Sequence, residues 1–193
     1  LCAVISSLEI LLGTRYTSLY IYFNFSILHN FSIFATKITH FLTTTMEYPT
    51  LNYPAIHLRA RRGANGRTEI FDKVRGRWLV LTPEEWVRRH VVEYLKSECG
   101  FLPQQIIEEH PININGMTQR ADIVALGSDT RPLIVVECKK PEVAINHDVL
   151  CQAVRYNSIL QSPYIVITNG INTYCYSLNG MSYSPIDYFP HYR

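Results

Sequence analysis

Apolar side chains recur with helical spacing in TPEEWVRRHVVEYLKSECG, residues 82–100. Trp86, Val87, His90, Val91, Tyr94 and Leu95 lie on one stripe that predicts a buried helix face. Thr82 suits the N-cap, Pro83 the first turn, Glu85 completes a capping box, and Gly100 ends the helix. His90, on that stripe, reads as a core-edge residue. A second helix is expected in NHDVLCQAVRYNSIL, with Val149, Leu150, Ala153, Val154 and Ile159 or Leu160 facing the core. Strand patterns fill the rest: QQIIEEHPININ, interrupted near Pro111, then RADIVAL, LIVVECK, YIVIT and TYCYSL. NGMT, GSDTRP and Asn169-Gly170 separate them as turns. The order is helix, three strands, helix, two strands. It predicts one α/β domain over residues 82–193, with a mixed central sheet flanked by helices.

Upstream, residues 46–81 read as an irregular arm followed by a hairpin, TEIFD and RWLVL around KVRG. This arm is basic: Arg59, Arg61, Arg62, Arg67, Lys73, Arg75 and Arg77 stand against Glu69 and Asp72. It is a candidate for phosphate contacts, with an ordinary solvated hairpin as the plain alternative. Net charge is only +2, so a case for nucleic acid rests on this local excess.

Residues 1–45 differ from the remainder. They carry only Glu9, Arg15 and Lys37 as charges, none lies between Tyr16 and Thr36, and the first methionine is Met46. The segment is read as a non-native upstream extension. A membrane anchor over residues 16–36 and a genuine folded extension are the alternatives. The stretch has the length a spanning helix needs, about 20 residues, but is diluted by Ser, Thr, Asn and His. It lacks the basic start and cleavage site of a secretory signal.

Apolar residues make up 47% of the chain and charged residues 18%, a globular composition. The cysteines, Cys2, Cys99, Cys138, Cys151 and Cys175, are odd in number and contain no C-x-x-C pair. Reduced thiols in a cytoplasm are the expectation, rather than a disulfide framework or structural zinc site.

The chemistry concentrates where LIVVECK ends. A symmetric hairpin around GSDTRP sets Leu126 opposite Leu133 and therefore Asp122 opposite Glu137, with Lys139 two positions on along the same face. Cross-strand Cβ atoms stand about 4.5–5.5 Å apart. Two carboxylates that close force one to keep its proton unless a cation lies between them. Mg²⁺ (or Mn²⁺), held by Asp122 and Glu137, meets that need. Lys139 beside it completes the parts for metal-assisted phosphodiester hydrolysis. The plain alternative is a structural ion pair of Glu137 with Lys139 or Arg120.

Asp122, Glu137-x-Lys139 and the helical pair Gln152-x-x-x-Tyr156 resemble the PD-(D/E)XK nuclease superfamily. TPEEWVRRHVVEYL, RADIVAL, LIVVECKKPE, CQAVRYN and VITNG are similar to the N-terminal nuclease domain of type I restriction enzyme R subunits, over about residues 46–180. The resemblance implies a restriction-endonuclease-like α-β-β-β-α-β core. It also implies catalytic Asp122, Glu137 and Lys139, and supporting Gln152 and Tyr156. The family's first-helix glutamate matches Glu85, which already has a capping role. Ala121 stands where the superfamily name has proline. DNA is the implied partner, with other restriction or repair subunits, and Arg59, Arg61, Arg62, Lys73, Arg75 and Arg77 are its candidate contacts. No G-x-x-x-x-G-K-[ST] occurs, so an ATP-driven translocase is not encoded in these residues. A non-cleaving nucleic-acid-binding or accessory module on the same fold is the alternative function.

Overall fold

The computed structural model describes residues 48–192. The expectations for residues 1–45 lie outside the described residues. Three short strands, β1 (Ala60–Arg62), β2 (Thr68–Asp72) and β3 (Arg77–Val80), form an antiparallel sheet. Its β2–β3 turn is the expected KVRG hairpin. Arg59 and Arg61 lie over the Trp78 ring, so their stems cover the aromatic surface of this thin sheet.

Helix α1 (Pro83–Ser97) starts where the sequence placed it, with Thr82 Oγ1 accepting the Glu85 amide at 3.1 Å. Val87, Val91 and Leu95 are fully buried. The chain leaves through Gly100, whose φ of +81° a side chain would strain. After a 3₁₀ turn at Pro103–Gln105 come β4 (Ile106–Ile114), β5 (Met117–Leu126) and β6 (Pro132–Cys138). Helix α2 (His147–Leu160) follows, then β7 (Tyr164–Thr168), β8 (Thr173–Asn179) and β9 (Ser182–Ile186). The six strands form one sheet in chain order. β6 and β7 are parallel and every other neighbouring pair is antiparallel. A parallel pair needs a crossover, and α2 supplies it.

The continuous apolar run of β6 follows from its central place, covered on both sides. Ile134, Val136 and Cys138 pack toward α1, with Val87, Val91, Leu95, Ile123 and Val166. Val135 packs with Val124 and Tyr156, and Ile165 and Ile167 pack with Val149 and Ala153 of α2. Each fully buried Val or Ile contributes on the order of 2 kcal/mol, so the sheet centre carries most of the stability. Ile159 is 54% exposed, leaving Leu160 as the residue turned toward the core.

Three local expectations are revised. Strand β4 runs unbroken through Pro111, because β4 is a sheet edge where a missing N–H is tolerated. Its irregularity is at Glu109, with φ +51°. Leu126 pairs with Pro132 rather than Leu133, through a bulge between Ala125 and Leu126, while the inner rungs Val124–Val135 and Ile123–Val136 keep the expected register. Strand β9 has no counterpart in the sequence reading. Its apolar content is small and Pro185 masks it, which suits the opposite edge.

The Asn169-Gly170 turn joins the arm to the sheet. Asn52 N–H donates to Gly170 O at 2.7 Å, and a Cβ on Gly170 would stand 2.7 Å from Leu51 Cδ2. Its φ of +85° adds backbone strain for any side chain. Gly170→Ala is expected to destabilise the domain by about 1–3 kcal/mol in urea titration. A loss below about 0.5 kcal/mol would mean that Leu51 yields freely.

Candidate metal centre

The C-terminal end of β6 carries a connected polar cluster. Lys139 Nζ donates to Glu137 Oε1 at 2.7 Å and to Gln152 Oε1 at 3.1 Å. Gln152 Nε2 donates to Glu137 Oε1 at 2.7 Å and to the Tyr156 hydroxyl at 2.9 Å. Gln152 and Tyr156 stand one helical turn apart on α2, which explains their spacing. Asp122 reaches in from β5: its Oδ2 accepts the Cys138 amide at 2.7 Å, and its Oδ1 accepts Arg88 Nη2 at 2.6 Å. The carboxylate thus accepts the Cys138 amide two residues beyond the last paired rung, Ile123–Val136. Cys138 itself is buried against α1, the face opposite Glu137.

Glu137 is 3% exposed. Burial, and then the charge of Asp122, push its carboxyl up to about 7, against the pull of Lys139. Burial works against a charged Lys139, but its bond to Glu137 prevails and holds it above the ordinary lysine value. Glu84 is raised as well, first by burial and then by Asp122, with Arg88 and Lys139 opposing. Glu84 therefore belongs to the electrostatic surroundings of Asp122 and Lys139, which the sequence reading missed.

Glu85, the sequence choice for the first-helix acid, points elsewhere. Consecutive helical residues diverge by about 100°. The Glu85 carboxylate meets Arg75 at 3.0 Å, Arg88 at 2.5 Å and Arg89 at 2.8 Å. Asp72, Glu85 and Glu108 present oxygen atoms within 4.8 Å of one another. Arg75 and Arg89 both bridge Asp72 and Glu108, so this acidic cluster is a neutralised ion-pair core. Burial would raise the Asp72 carboxyl, but the Arg75 hydrogen bonds and the charge of Arg89 lower it.

Arg75 is also corrected as a DNA-contact candidate. Its side chain is 13% exposed and is shared among Asp72, Glu85, Glu108 and Glu109. Arg59, Arg61, Arg62, Lys73 and Arg77 remain on the surface. Of these, Arg61 pairs with Glu69 at 2.8 Å and Arg77 with Glu109 at 3.4 Å. The Glu84–Arg88 and Glu85–Arg89 spacings, each four residues, were visible signals of helical ion pairing. Which pair faces the site depends on how α1 docks.

Residues 83–190 match the family model for the type I restriction enzyme R protein N terminus (HSDR_N). The chain belongs to this family. No curated protein and no solved structure matches it. Its role is therefore related to restriction enzymes, and the matched span holds α1, the whole six-stranded sheet and every residue of the cluster. Among the described residues, no helix of this R-protein N-terminal domain is long and apolar enough to cross a membrane.

Among the described residues, the acids of this cluster are the candidate ligands for a hard divalent cation. Glu137 Oε2 is buried and has no hydrogen-bond partner among the described residues. Asp122 and Glu84 are the neighbouring carboxylates, but their oxygens and those of Glu137 do not all lie within 4.8 Å of one another, and both Asp122 oxygens are already hydrogen-bonded. An all-oxygen set of this kind suits Mg²⁺ or Mn²⁺.

Proposed function

We propose that this R-protein N-terminal domain is a metal-dependent deoxyribonuclease of the PD-(D/E)XK type, with Asp122 and Glu137 holding Mg²⁺ or Mn²⁺. The observation that carries the reading is Glu137 Oε2. A buried carboxylate oxygen without a partner is costly unless a proton or cation satisfies it. When bound, the metal supplies Lewis-acid stabilisation of a phosphoryl oxygen and lowers the pKa of a coordinated water.

The protein's own groups do the rest. Asp122 is fixed at both oxygens, by Arg88 and the Cys138 amide, so it is oriented before anything binds. Lys139 keeps its positive charge, tethered by Glu137 and Gln152, where charge develops on the phosphate. Gln152 locks that lysine and is itself braced by Tyr156. Glu84, with its raised carboxyl, is the better candidate than Glu85 for the first-helix acid, and half-buried at the site it can accept or release a proton. Arg59, Arg61, Arg62, Lys73 and Arg77 of the arm are the candidate contacts to DNA phosphates.

The test is cleavage of linear, nicked and branched DNA with Mg²⁺ or Mn²⁺ by the full chain and by Lys139→Ala. Metal-dependent cutting that falls at least about a hundredfold in the variant is expected. Cutting that survives unchanged removes the site assignment, and no cutting of any substrate by the unaltered chain favours a binding module.

A further inference from the structure

The Arg88 side chain is 8% exposed and lies where four carboxylates converge. Nη2 stands 2.6 Å from Asp122 Oδ1 and 3.5 Å from Glu84 Oε1, while Nη1 stands 2.5 Å from Glu85 Oε2 and 3.7 Å from Glu109 Oε1. Glu85 and Glu109 each have other arginine partners, Arg75 and Arg89 for the first, Arg75 and Arg77 for the second. Asp122 does not: among the described residues its other bond comes from the neutral Cys138 amide, and Arg88 is the cation paired with it.

The backbone supports the same arrangement. Glu109 lies across from Asp122, since its neighbours pair as Glu108–Ile123 and His110–Ala121. Its left-handed φ of +51° brings its carboxylate to Arg75 and Arg88. Strain of this kind persists where the surroundings over-determine a conformation. Arg88 is thus held on its carboxylates from several sides.

We propose that Arg88 is a resident counter-cation for Asp122, and that a divalent metal must take Asp122 Oδ1 in competition with the Arg88 guanidinium. This rests on the metal-dependent reading above and adds a control on how the site loads. With Glu137 ionised, the three charges of Asp122, Glu137 and Glu84 are partly offset by Lys139 and Arg88. Removing Arg88 leaves the acids with Lys139 alone, a field that draws a divalent ion more strongly. Arg88 therefore weakens metal affinity while keeping Asp122 aimed before the metal arrives. It is a positioning residue, one that also limits occupancy when metal is scarce.

Calorimetric Ca²⁺ titration of the unaltered chain, Arg88→Met and Arg88→Lys separates this role from a merely structural one. Arg88→Met is expected to bind Ca²⁺ about tenfold more tightly. At saturating Mg²⁺ it is expected to cleave DNA about tenfold more slowly, because Asp122 has lost its orienting partner. A general loss of structure would weaken binding, so tighter binding with slower cleavage cannot come from misfolding. Arg88→Lys keeps the charge without the fork and is expected to gain a smaller factor, which keeps the test open if Arg88→Met does not fold. Unchanged or weaker Ca²⁺ binding by the folded variants, in a chain that itself binds and cleaves, overturns this proposal alone. If neither the unaltered chain nor a variant takes up Ca²⁺, the metal-dependent reading falls with it.

Discussion

Glu137→Gln is expected to lower metal-dependent DNA cleavage by about a thousandfold, the scale for removing a group that acts on developing charge, while the domain stays folded. Glutamine keeps an oxygen for Lys139 and Gln152, so the hydrogen-bonded frame survives. What disappears is the charge on a buried oxygen that has no partner among the described residues. The substitution also has a signature that needs no substrate. Burial and Asp122 raise the Glu137 carboxyl from 4.5 to about 7. The folded state then binds this proton more tightly than the unfolded state. The stability it contributes is fully present below about pH 4.5 and is lost as pH rises through about 7. The change is on the order of 3 kcal/mol over that window. Urea titrations of metal-free protein at pH 5 and pH 8 should show this fall in the unaltered chain and a flatter profile in Glu137→Gln. Equal pH slopes in the two proteins would sink the argument that Glu137 is the strained, titrating acid. Cleavage at the original rate would remove it from the chemistry.

Arg75→Met is expected to cost about 3–5 kcal/mol of stability, a large share of the 5–15 kcal/mol that holds a typical domain together. Arg75 lies on the β2–β3 turn, yet its guanidinium reaches Asp72 beside it, Glu85 on α1 and both Glu108 and Glu109 on β4. Methionine would fill the space of the stem and remove the charge. Asp72, Glu85 and Glu108 would then depend on Arg89, with Arg88 reaching Glu85 only. Denaturant unfolding measures the cost. The salt dependence of DNA binding gives the contrast, because Arg75 is not a surface cation. Its substitution should leave the slope of affinity against salt unchanged in the protein that remains folded, whereas Lys73→Ala should reduce that slope by about one. If Arg75→Met costs under 1 kcal/mol and lowers the salt slope, the residue is a phosphate contact after all.

These two residues show where a sequence can and cannot be read. Glu137 was legible because three signals overlap on it: an apolar run that must be a central strand, a period of two that carries Lys139 to the same face, and a hairpin register that brings Asp122 alongside. Each depends on local geometry, which sequence spacing encodes. The register survived at Ile123–Val136 although the turn closed through a bulge, because the buried alternation, rather than the loop, holds it. Arg75 was misread for the opposite reason. Within the arm it looks like its neighbours Lys73 and Arg77, and only the docking of the β-hairpin against α1 and β4 distinguishes it. Glu84 and Glu85 present the same problem over a single residue. Both begin a helix, both have an arginine four residues on, and the docking rotation of α1 sends one to Asp122 and the other into the ion-pair core.

By itself, then, the sequence determined the α/β order, the caps and core stripe of α1, the central place of β6, and the grouping of Asp122, Glu137, Lys139, Gln152 and Tyr156. All of these follow from periodicity and nearby pairing, except the joining of Gln152 and Tyr156 to the acids, which only the resemblance to the nuclease family implied. The tertiary structure decided which charges are solvated and which are buried, that Arg88 belongs to Asp122, and that the basic arm is fastened to the domain through Arg75. Those outcomes depend on contacts between segments far apart in the chain. Long charged side chains reach such contacts without leaving any periodic mark in the sequence.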